Sequence, residues 1–203
     1  MKTCYPIGIT GTIGSGKSTV SRLWSRFASL PLIDVDHLCR ELLAKEKHGW
    51  AALRQHLDAG FFEPDGNLDR RALREALFSD PDLRRQVDGL VHPLARDLLR
   101  ERLAGLSGPV LVDVPLLFEA GWQDAFQRVV MVYADPSTCC RRVARRDNIS
   151  PDEAARAIGS QLSPWEKAMR ADHVVDNRYC RLYTGLQVVH LAAVIGSLCV
   201  RES

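Results

Sequence analysis

The sequence lacks an excess of charge of either sign. Its 203 residues carry 27 Lys plus Arg against 25 Asp plus Glu, which leaves a formal net charge of only +2. Proteins that bind nucleic acid or anionic membranes through their overall charge usually carry a large positive excess. We therefore expect small-molecule partners, with neither a nucleic acid nor a membrane among them.

Cysteine motifs are also missing. The six cysteines form no Cys-x-x-Cys pair, and the sequence has no His-x-x-x-His segment, so nothing in the spacing predicts a zinc site. Scattered reduced thiols are typical of a cytoplasmic protein. The first residues also lack the charged and apolar regions of a secretory signal. The predicted localisation is cytoplasmic.

One long stretch is without charge. The segment from Leu182 to Val200 contains no Lys, Arg, Asp or Glu, and its length is close to the roughly 20 residues that a membrane span needs. Gln187 and His190 lie at its middle, however. A helical period links Leu182, Leu186, Val189 and Ala193. The pattern favours a buried C-terminal helix packed on a sheet over a membrane span.

Short apolar runs alternate with longer amphipathic ones, and no internal repeat is present. Five runs have the composition and length of strands, namely Ile7–Thr10, Leu32–Asp34, Val110–Val114, Val129–Tyr133 and His173–Val175. Their apolar character is mostly continuous, as in strands covered on both faces. The predicted fold class is α/β, with a parallel five-stranded sheet flanked by helices.

The region 37–106 is poor in strands and too long for one crossover helix. A spacing of three and four residues predicts an amphipathic helix through Leu83, Val87, Leu90, Leu94 and Leu98. His92-Pro93 marks a kink or a break in it. We expect a helical substrate-binding insertion over 37–106 within a single domain of residues 1–203; a plain multi-helix crossover is the alternative.

Two later segments share a helix-start pattern. Ser150-Pro151-Asp152-Glu153 and Ser163-Pro164-Trp165-Glu166 each place a serine before a proline and a glutamate three residues on. This is the pattern of a capping box. It predicts a short helix from Pro151 to Gln161 and a small helical lid over 138–163. The core of the domain would then be formed by 1–36, 107–137 and 164–203.

The segment from Gly11 to Ser18 matches the phosphate-loop pattern G-x-x-x-x-G-K-[ST] and lies between a predicted strand and a helix. Glycines let the backbone N–H groups wrap around phosphates. Lys17 would reach the β and γ phosphates, and the Ser18 hydroxyl would hold Mg²⁺. The predicted nucleotide-binding residues are Gly11, Gly14, Ser15, Gly16, Lys17, Ser18 and Thr19. A merely flexible glycine-rich turn is the alternative.

Acidic residues follow two of the predicted strands. Asp34 and Asp36 close the second strand, and either carboxylate would be placed to accept the proton of an attacking hydroxyl. Alternatively, both cap the next helix. Asp113 ends the third strand. It is placed either to hold Mg²⁺ through water or only to form a turn.

Four arginines lie in one six-residue segment, 141–146, of a predicted helix. Arg142 and Arg146 share one helical face, as do Arg141 and Arg145. One pair can therefore point at phosphates while the other is solvated. Guanidinium groups suit this role because they bind phosphate oxygens bidentately. A fully solvated basic face is the alternative.

Taken in order, several blocks of this sequence resemble the dephospho-coenzyme A kinases, a family of P-loop kinases. The resemblance spans Gly8 to Asn177. Its blocks are the phosphate loop, Asp34-Val35-Asp36 with Arg40, Leu68-Asp69-Arg70, Leu90-Val91-His92-Pro93, Val114-Pro115-Leu116-Leu117-Phe118-Glu119, Arg142 with Arg146-Asp147, Gln161, and Ala171-Asp172 with Asp176-Asn177. Arg178-Tyr179 stand where the family often has a glycine.

The resemblance implies a P-loop kinase fold and transfer of the γ-phosphoryl group of ATP, with Mg²⁺, to the ribose 3′-hydroxyl of dephospho-coenzyme A. This is the last step of coenzyme A synthesis. The resemblance also implies that Asp34 is the base, acting with Lys17 and Arg142. It further implies that Arg142 and Arg146 surround ATP. The implied acceptor-binding residues are Asp34, Arg40, His92, Pro115, Leu116 and Phe118.

Two other functions remain open from the residues alone. A different small-molecule P-loop kinase, acting on a nucleoside or a sugar alcohol, would use nearly the same catalytic groups. A nucleotide-hydrolysing switch protein is the second, although the sequence lacks the Asn/Thr-Lys-x-Asp motif of guanine recognition. The expected assembly is a monomer or a weak homo-oligomer.

Overall fold

The computed structural model describes residues 4–201, apart from the side chains of Phe78, Val200 and Arg201. Five parallel strands form one sheet in the order β2-β3-β1-β4-β5. The strands are β1 Cys4–Gly11, β2 Leu32–Asp34, β3 Gly108–Asp113, β4 Arg128–Tyr133 and β5 His173–Asp176. The predicted fold class and all five predicted strands are confirmed.

Helices connect the strands. They are α1 Lys17–Ala28, α2 Val35–Leu42, α3 His48–His56, α4 Arg70–Ser79, α5 Pro81–Ala104, α6 Pro136–Asp147, α7 Pro151–Gly159, α8 Pro164–Arg170 and α9 Arg181–Arg201. Short 3₁₀ turns occur at Ala59–Phe61 and Gln123–Ala125. The chain divides into two compact units, one from Met1–Asp34 with Leu103–Ser203 and the other Val35–Arg102. Whether the second unit binds the acceptor stays a prediction.

The core of the first unit lies on the sheet beneath α1 and α9. Ile7 and Ile9 of the central strand β1 are fully buried, as is Trp24 of α1. Ile195 of α9 packs in the same cluster and is 1% exposed. The continuous apolar character of β1 thus reflects the helices that cover it.

The second unit contains the long helix α5, which continues through Pro93 without a break. Pro93 is exposed, on the side of the helix that faces away from its packed face. The buried face of α5 is formed by Val87, Val91, Ala95 and Leu99. Of the predicted stripe, only Val87 is fully buried, so the true face is rotated by about one residue.

The predicted lid region contains a hairpin of α6 and α7, which pack against each other. The capping box at the start of α7 is present: the Ser150 N–H donates to Glu153 Oε2 at 2.9 Å, and the Glu153 N–H donates to Ser150 Oγ at 3.2 Å. Ser163 and Glu166 form the second box at the start of α8. Helix α7 ends at Gly159, two residues before the predicted end.

Helix α9 corrects one expectation. Its buried side chains are Thr184, Val188, Leu191, Ile195 and Cys199. The stripe chosen from the sequence is the opposite one: Leu182 is 75% exposed, Leu186 61% and Val189 41%. The helix is therefore packed on the sheet, as predicted, but the choice of its buried face was wrong. We call the residues Leu182, Leu186, Val189 and Ala193 the outer stripe.

The rotation of α9 is fixed by polar contacts at its start. Thr184 Oγ1 donates to Asn177 Oδ1 at 2.9 Å. Gln187 Nε2 donates to the Asp176 carbonyl at 2.9 Å and Gln187 Oε1 accepts the Asp176 N–H at 2.8 Å. These bonds turn the buried residues of α9 toward the sheet. We call them the inner stripe: Thr184, Val188, Leu191, Ile195 and Cys199. Both stripes have helical spacing, so the period alone does not choose between them.

By length and composition alone, Arg181–Cys199 is also apolar enough to cross a membrane, with a mean hydropathy of 1.6. Its inner stripe is part of the core cluster that includes Val188, Leu191 and Ile195. A helix that fills the core on one face is not surrounded by lipid. The hydropathy of α9 comes from having two apolar faces, one of which remains exposed.

Candidate active site

The phosphate loop connects the central strand β1 to α1. Gly14 and Gly16 have φ values of 82° and 89°, in the left-handed region that favours glycine. A Cβ atom on Gly14 would lie 2.6 Å from the Cys139 carbonyl oxygen. Gly16 begins α1 with no side-chain cap. The first N–H groups of α1 thus have no capping side chain, as suits an anion-binding helix start.

Lys17 forms an ion pair with Asp113 at the end of β3. The side chains of Lys17 and Asp113 are only 14% and 5% exposed. Asp113 Oδ2 also accepts a hydrogen bond from Ser21 Oγ at 2.9 Å. The contact brings the lysine of the phosphate loop to the acidic residue predicted to hold the metal.

Asp34 lies beside Asp113 at the carboxyl edge of the sheet. The two residues are paired in register between β2 and β3, and Asp113 is in turn paired with Ile9 of β1. Asp34 is exposed. Asp36, the alternative base, lies in the first turn of α2 and belongs to the second unit. Asp34 therefore lies at the edge of the sheet that holds the phosphate loop, and its role as the base stays a prediction.

The loop after β3 contains the predicted acceptor residues Pro115, Leu116 and Phe118. Thr10 Oγ1 donates to the Pro115 carbonyl at 3.3 Å, which fixes the loop to β1. Pro115 and Leu116 are half-buried, whereas Phe118 is 7% exposed. Phe118 therefore packs inside the protein and supports the loop, while its two neighbours present more surface.

A second fixed point of this loop is Glu119. Its Oε1 atom accepts the Leu162 N–H at 3.1 Å and lies 2.8 Å from Lys167 Nζ. The Lys167 side chain is fully buried, whereas that of Glu119 is 21% exposed. These contacts attach the start of α8 to the loop after β3.

Gln161 makes a related contact with the phosphate loop. Its side-chain oxygen accepts the Ile13 N–H at 3.1 Å. Gln161 follows α7, so the end of the predicted lid is bonded directly to the loop that would hold phosphate.

Helix α6 is positioned by its N-cap, Asp135. The Asp135 carboxylate accepts hydrogen bonds from Ser137 Oγ at 2.6 Å and the Thr138 N–H at 2.9 Å. These bonds hold the pKa of Asp135 well below its usual range, the Ser137 bond contributing most. An ionised carboxylate at the start of α6 also interacts favourably with the positive end of the helix dipole.

Arg142 of α6 binds the backbone of the phosphate loop. Its Nη1 donates to the carbonyl oxygens of Gly14 at 3.4 Å and Ser15 at 3.2 Å, and its Nη2 donates to that of Asn177 at 2.9 Å. Asn177 Nδ2 donates to the same Ser15 carbonyl at 2.7 Å. The carbonyls of the loop thus face Arg142 and Asn177, which leaves loop N–H groups for an anion.

Arg146 has a different environment. It donates to Asp147 through Nε and Nη2, at 2.7 Å each, and its side chain is 59% exposed. The bond from Arg146 is the main cause that lowers the pKa of Asp147. The structure therefore brings Arg142, but not Arg146, into contact with the phosphate loop.

The other two acceptor residues implied by the resemblance lie in the second unit. Arg40 is an exposed residue of α2, and its carbonyl accepts a hydrogen bond from Arg70 Nη2 at 2.9 Å. His92 lies in α5, with Nε2 3.6 Å from Asp88 Oδ1. Their acceptor roles stay predictions.

The donor set at the site fits a hard cation that is bound mainly by a nucleotide. Among residues 4–201, no cluster of three or more His, Cys, Asp and Glu side chains is present. Mg²⁺ beside a phosphate loop typically needs few protein ligands, because phosphate oxygens and water complete its shell. The Ser18 hydroxyl and the Asp113 carboxylate are oxygen donors of the right kind, and Asp113 is paired with Lys17.

The sequence predicts no individual role for Gln161 or Asn177. Glu119 ends the loop from Pro115 that the family resemblance places at the acceptor. Asn177 directly follows β5, at the same edge of the sheet as Asp34 and Asp113. The rule that ligands bind beyond the carboxyl ends of parallel strands already pointed to this position. The partners of Glu119 and Gln161 had no comparable sequence pattern.

A parallel sheet with a phosphate loop after its central strand, a lysine beside a strand-end aspartate and a following arginine helix define a P-loop kinase. The family model for dephospho-CoA kinase matches residues 5–180. The chain belongs to the dephospho-CoA kinase family.

Individual relatives agree with this assignment. A dephospho-CoA kinase from Geobacter sulfurreducens is 41% identical over 175 residues, which cover 84% of this chain and 88% of the relative. One from Symbiobacterium thermophilum is 40% identical over 177 residues, 85% of this chain and 73% of the relative. The crystal structure of TT1252 from Thermus thermophilus has 36% identity and a TM-score of 0.79, covering 97% of this chain and 99% of its own.

Proposed function

We propose that this protein, a dephospho-CoA kinase, transfers the γ-phosphoryl group of ATP to the ribose 3′-hydroxyl of dephospho-coenzyme A, giving coenzyme A and ADP. The observation that carries the proposal is the alignment of Asp34 beside Asp113 and of Asp113 with Lys17, at the edge of the sheet that holds the phosphate loop. It supplies a base next to the phosphate-binding groups.

The phosphate loop binds ATP through Gly11, Gly14, Ser15, Gly16, Lys17, Ser18 and Thr19. Backbone N–H groups at the start of α1 point at the phosphates. Lys17 exchanges the Asp113 carboxylate for phosphate oxygens. Ser18 and Asp113 are the residues that would hold Mg²⁺, directly or through water. When bound, the ion would neutralise charge on the phosphates.

Asp34 acts on the acceptor. Its carboxylate takes the proton of the 3′-hydroxyl as the new oxygen–phosphorus bond forms and the bond from the γ phosphorus to ADP breaks. Asp34 is exposed at the strand end, where a hydroxyl can reach it. Asp36 is the alternative base if Asp34 only orients the acceptor.

Arg142 and Arg146 act on ATP from the lid. Arg142 is fixed by the carbonyls of Gly14 and Ser15, so it can stabilise phosphate charge without first being ordered. Arg146 is exposed and paired with its neighbour Asp147. It would exchange that partner for phosphate oxygens when the lid closes. The two arginines therefore contribute differently, one preformed and one recruited.

The remaining assignments follow the family. Arg40, His92, Pro115, Leu116 and Phe118 are proposed on the acceptor side, with Phe118 in a supporting position because it is buried. The near-zero net charge supports small-molecule substrates rather than a nucleic acid. We propose a cytoplasmic enzyme that is a monomer or a weak homo-oligomer.

An acceptor panel tests the function. Purified protein with ATP and Mg²⁺ is offered dephospho-coenzyme A, a nucleoside, a sugar alcohol or no acceptor, and ADP release is measured. We expect turnover only with dephospho-coenzyme A, and mass spectrometry should show one added phosphate on the ribose. Preference for another hydroxyl would overturn the substrate assignment, and hydrolysis without an acceptor would favour a switch protein. Lys17→Ala checks that turnover depends on the phosphate loop.

A further inference from the structure

The outer stripe of α9 is continued by exposed apolar side chains of α1. Leu23 is 38% exposed and Phe27 55% exposed, and α1 packs against α9. Tyr179 and Tyr183, at the start of α9, are also exposed. Surface leucines scattered singly need no explanation, but a contiguous apolar surface across two helices does. The proposed kinase reaction uses none of these side chains.

A groove of about 580 Å³ lies between α1 and α9 and is lined by Leu23, Phe27, Leu182, Leu186 and Val189 of this surface. Val20, Thr184 and Val188 form its floor and are at most 3% exposed. The walls are formed by far more exposed residues, with Leu182 at 75% and Leu186 at 61% the most exposed. The apolar side chains on the walls of the groove are thus exposed, so they are placed to insert into an apolar environment such as the acyl chains of a bilayer.

The charge around the groove is of one sign. Arg22, Arg26 and Arg181 line it together with the apolar residues, and no carboxylate is among its described lining residues. The sequence has no Asp or Glu from 17 to 33 or from 177 to 201. The overall charge of +2 therefore conceals a face that is both apolar and cationic.

We propose that the α1–α9 face docks this protein reversibly on a bilayer that contains anionic phospholipid. The outer stripe and Phe27 would enter the boundary between headgroups and acyl chains, while Arg22, Arg26 and Arg181 meet the lipid phosphates. Arginine stems can lie along apolar surface with their charged ends at the headgroups. Exposed tyrosines at the edge of the face suit the same interface.

This proposal replaces the expectation that no membrane is a partner. That expectation was based on overall charge, whereas surface docking depends on the charge of one face. A second copy of the chain is a poorer occupant, because a two-fold contact would join two cationic faces with no carboxylate among their described lining residues. An acidic amphipathic helix would also match the charge of the groove, so its binding is one of the outcomes that the experiment distinguishes.

Vesicle flotation tests the proposal with the intact protein. Vesicles of phosphatidylcholine alone are compared with vesicles that also contain phosphatidylglycerol, at low and high salt. We expect binding to the anionic vesicles only, weakened by salt. Leu182→Gln/Leu186→Gln should lower the partition coefficient at least about tenfold, and Arg22→Gln/Arg26→Gln should do the same.

Matched variants separate this face from general stickiness. Trp165→Gln/Met169→Gln removes two apolar side chains of α8 that are 69% exposed, and Arg71→Gln/Arg74→Gln removes two charges of α4. Both should float as the wild type does. Kinase turnover in lipid-free solution should be unchanged in Leu182→Gln/Leu186→Gln, which shows that the variant is folded.

Three outcomes would overturn the proposal. The first is that the protein binds neutral vesicles as well as anionic ones, or that it binds neither kind. The second is a dimer in sedimentation experiments that Leu182→Gln/Leu186→Gln abolishes, since the occupant would then be a second copy. The third is saturable binding of an acidic amphipathic peptide without any vesicle binding. None of these results bears on dephospho-coenzyme A turnover, so the kinase assignment would be unaffected.

Discussion

Lys17 and Asp113 form an ion pair between the phosphate loop and the end of β3, and both side chains are largely buried. The pair positions the loop lysine before any nucleotide is bound, and Ser21 holds the second oxygen of the same carboxylate. In the proposed reaction, ATP would exchange this pair for contacts between Lys17 and phosphate. The carboxylate of Asp113 is then available to the water shell of a metal ion.

Asp113→Asn should therefore impair the use of metal. The amide keeps the shape of the side chain but loses the charge that attracts Mg²⁺. We expect kcat to fall at least about tenfold and the Mg²⁺ concentration for half-maximal rate to rise. Initial rates across a Mg²⁺ series at saturating ATP measure this. Asp124→Asn, an exposed change elsewhere in the first unit, is the control. An unchanged Mg²⁺ dependence would argue against the metal role.

Asp34→Asn should remove the base. We expect kcat to fall by about 10² or more with little change in the KM for ATP, since the amide cannot accept the hydroxyl proton. Steady-state kinetics with both substrates measure the split. Asp36→Asn is the paired control, two residues along the chain. Near-normal turnover of Asp34→Asn together with a slow Asp36→Asn would assign the base to Asp36 instead.

Arg142→Lys should weaken ATP binding and transfer together. The planar guanidinium donates to Gly14, Ser15 and Asn177 at once, and a single ammonium group cannot reproduce this fork. We expect kcat/KM for ATP to fall at least about tenfold. Arg145→Lys, which changes an exposed arginine of the same helix, should remain close to wild type. Equal losses in the two variants would mean that the loss does not depend on the contacts of Arg142 with the phosphate loop.

The Glu119–Lys167 pair should show an asymmetric effect on stability. Glu119→Gln leaves a fully buried ammonium without its carboxylate, and breaking a buried pair in this way costs about 3–5 kcal/mol. Lys167→Met leaves a carboxylate that is partly exposed and still accepts the Leu162 N–H, so we expect a smaller loss. Urea unfolding of both variants and of the double variant measures the difference.

The double variant should lose less stability than the sum of the two single variants, because its second change removes the stranded partner. Equal losses in both single variants would contradict the asymmetry. Simple additivity would mean that the contact contributes no coupling.

Sequence reasoning succeeded where one chemical requirement determines the residues. The phosphate loop needs glycines, a lysine and a hydroxyl in fixed order, and strands covered on both faces need continuous apolar runs. Asp34 and Asp113 could be placed at the carboxyl edge of the sheet because each ends such a strand. The two capping boxes were found because the serine and glutamate that form each box are close in sequence.

The sequence does not predict a feature when contacts between distant residues select one of two equivalent patterns. Helix α9 has two apolar stripes of the same period, and the bonds of Thr184 and Gln187 to the end of β5 select the inner one. The sequence likewise treats Arg142 and Arg146 as equivalent. Contacts made by residues 128 positions apart in sequence single out Arg142. Neither choice has a local sequence pattern.

His173, at the start of β5, should make stability depend on pH. Burial lowers its pKa, an effect that Arg128 reinforces and Asp172 opposes. In the unfolded chain this histidine has the ordinary pKa of about 6.5. Just below that pH, the unfolded chain therefore binds more protons than the folded protein. Stability should thus be fully present above about pH 6.5 and should decrease as the pH falls through the window below it.

Urea unfolding of the wild type and of His173→Gln between about pH 5 and 8 measures this contribution. Glutamine cannot be protonated in this range, so the variant should lose less stability than the wild type when the pH is lowered. His48→Gln, which changes an exposed histidine of α3, should keep the wild-type slope. If wild type and His173→Gln lose stability in parallel as the pH falls, burial at β5 does not oppose protonation of this histidine.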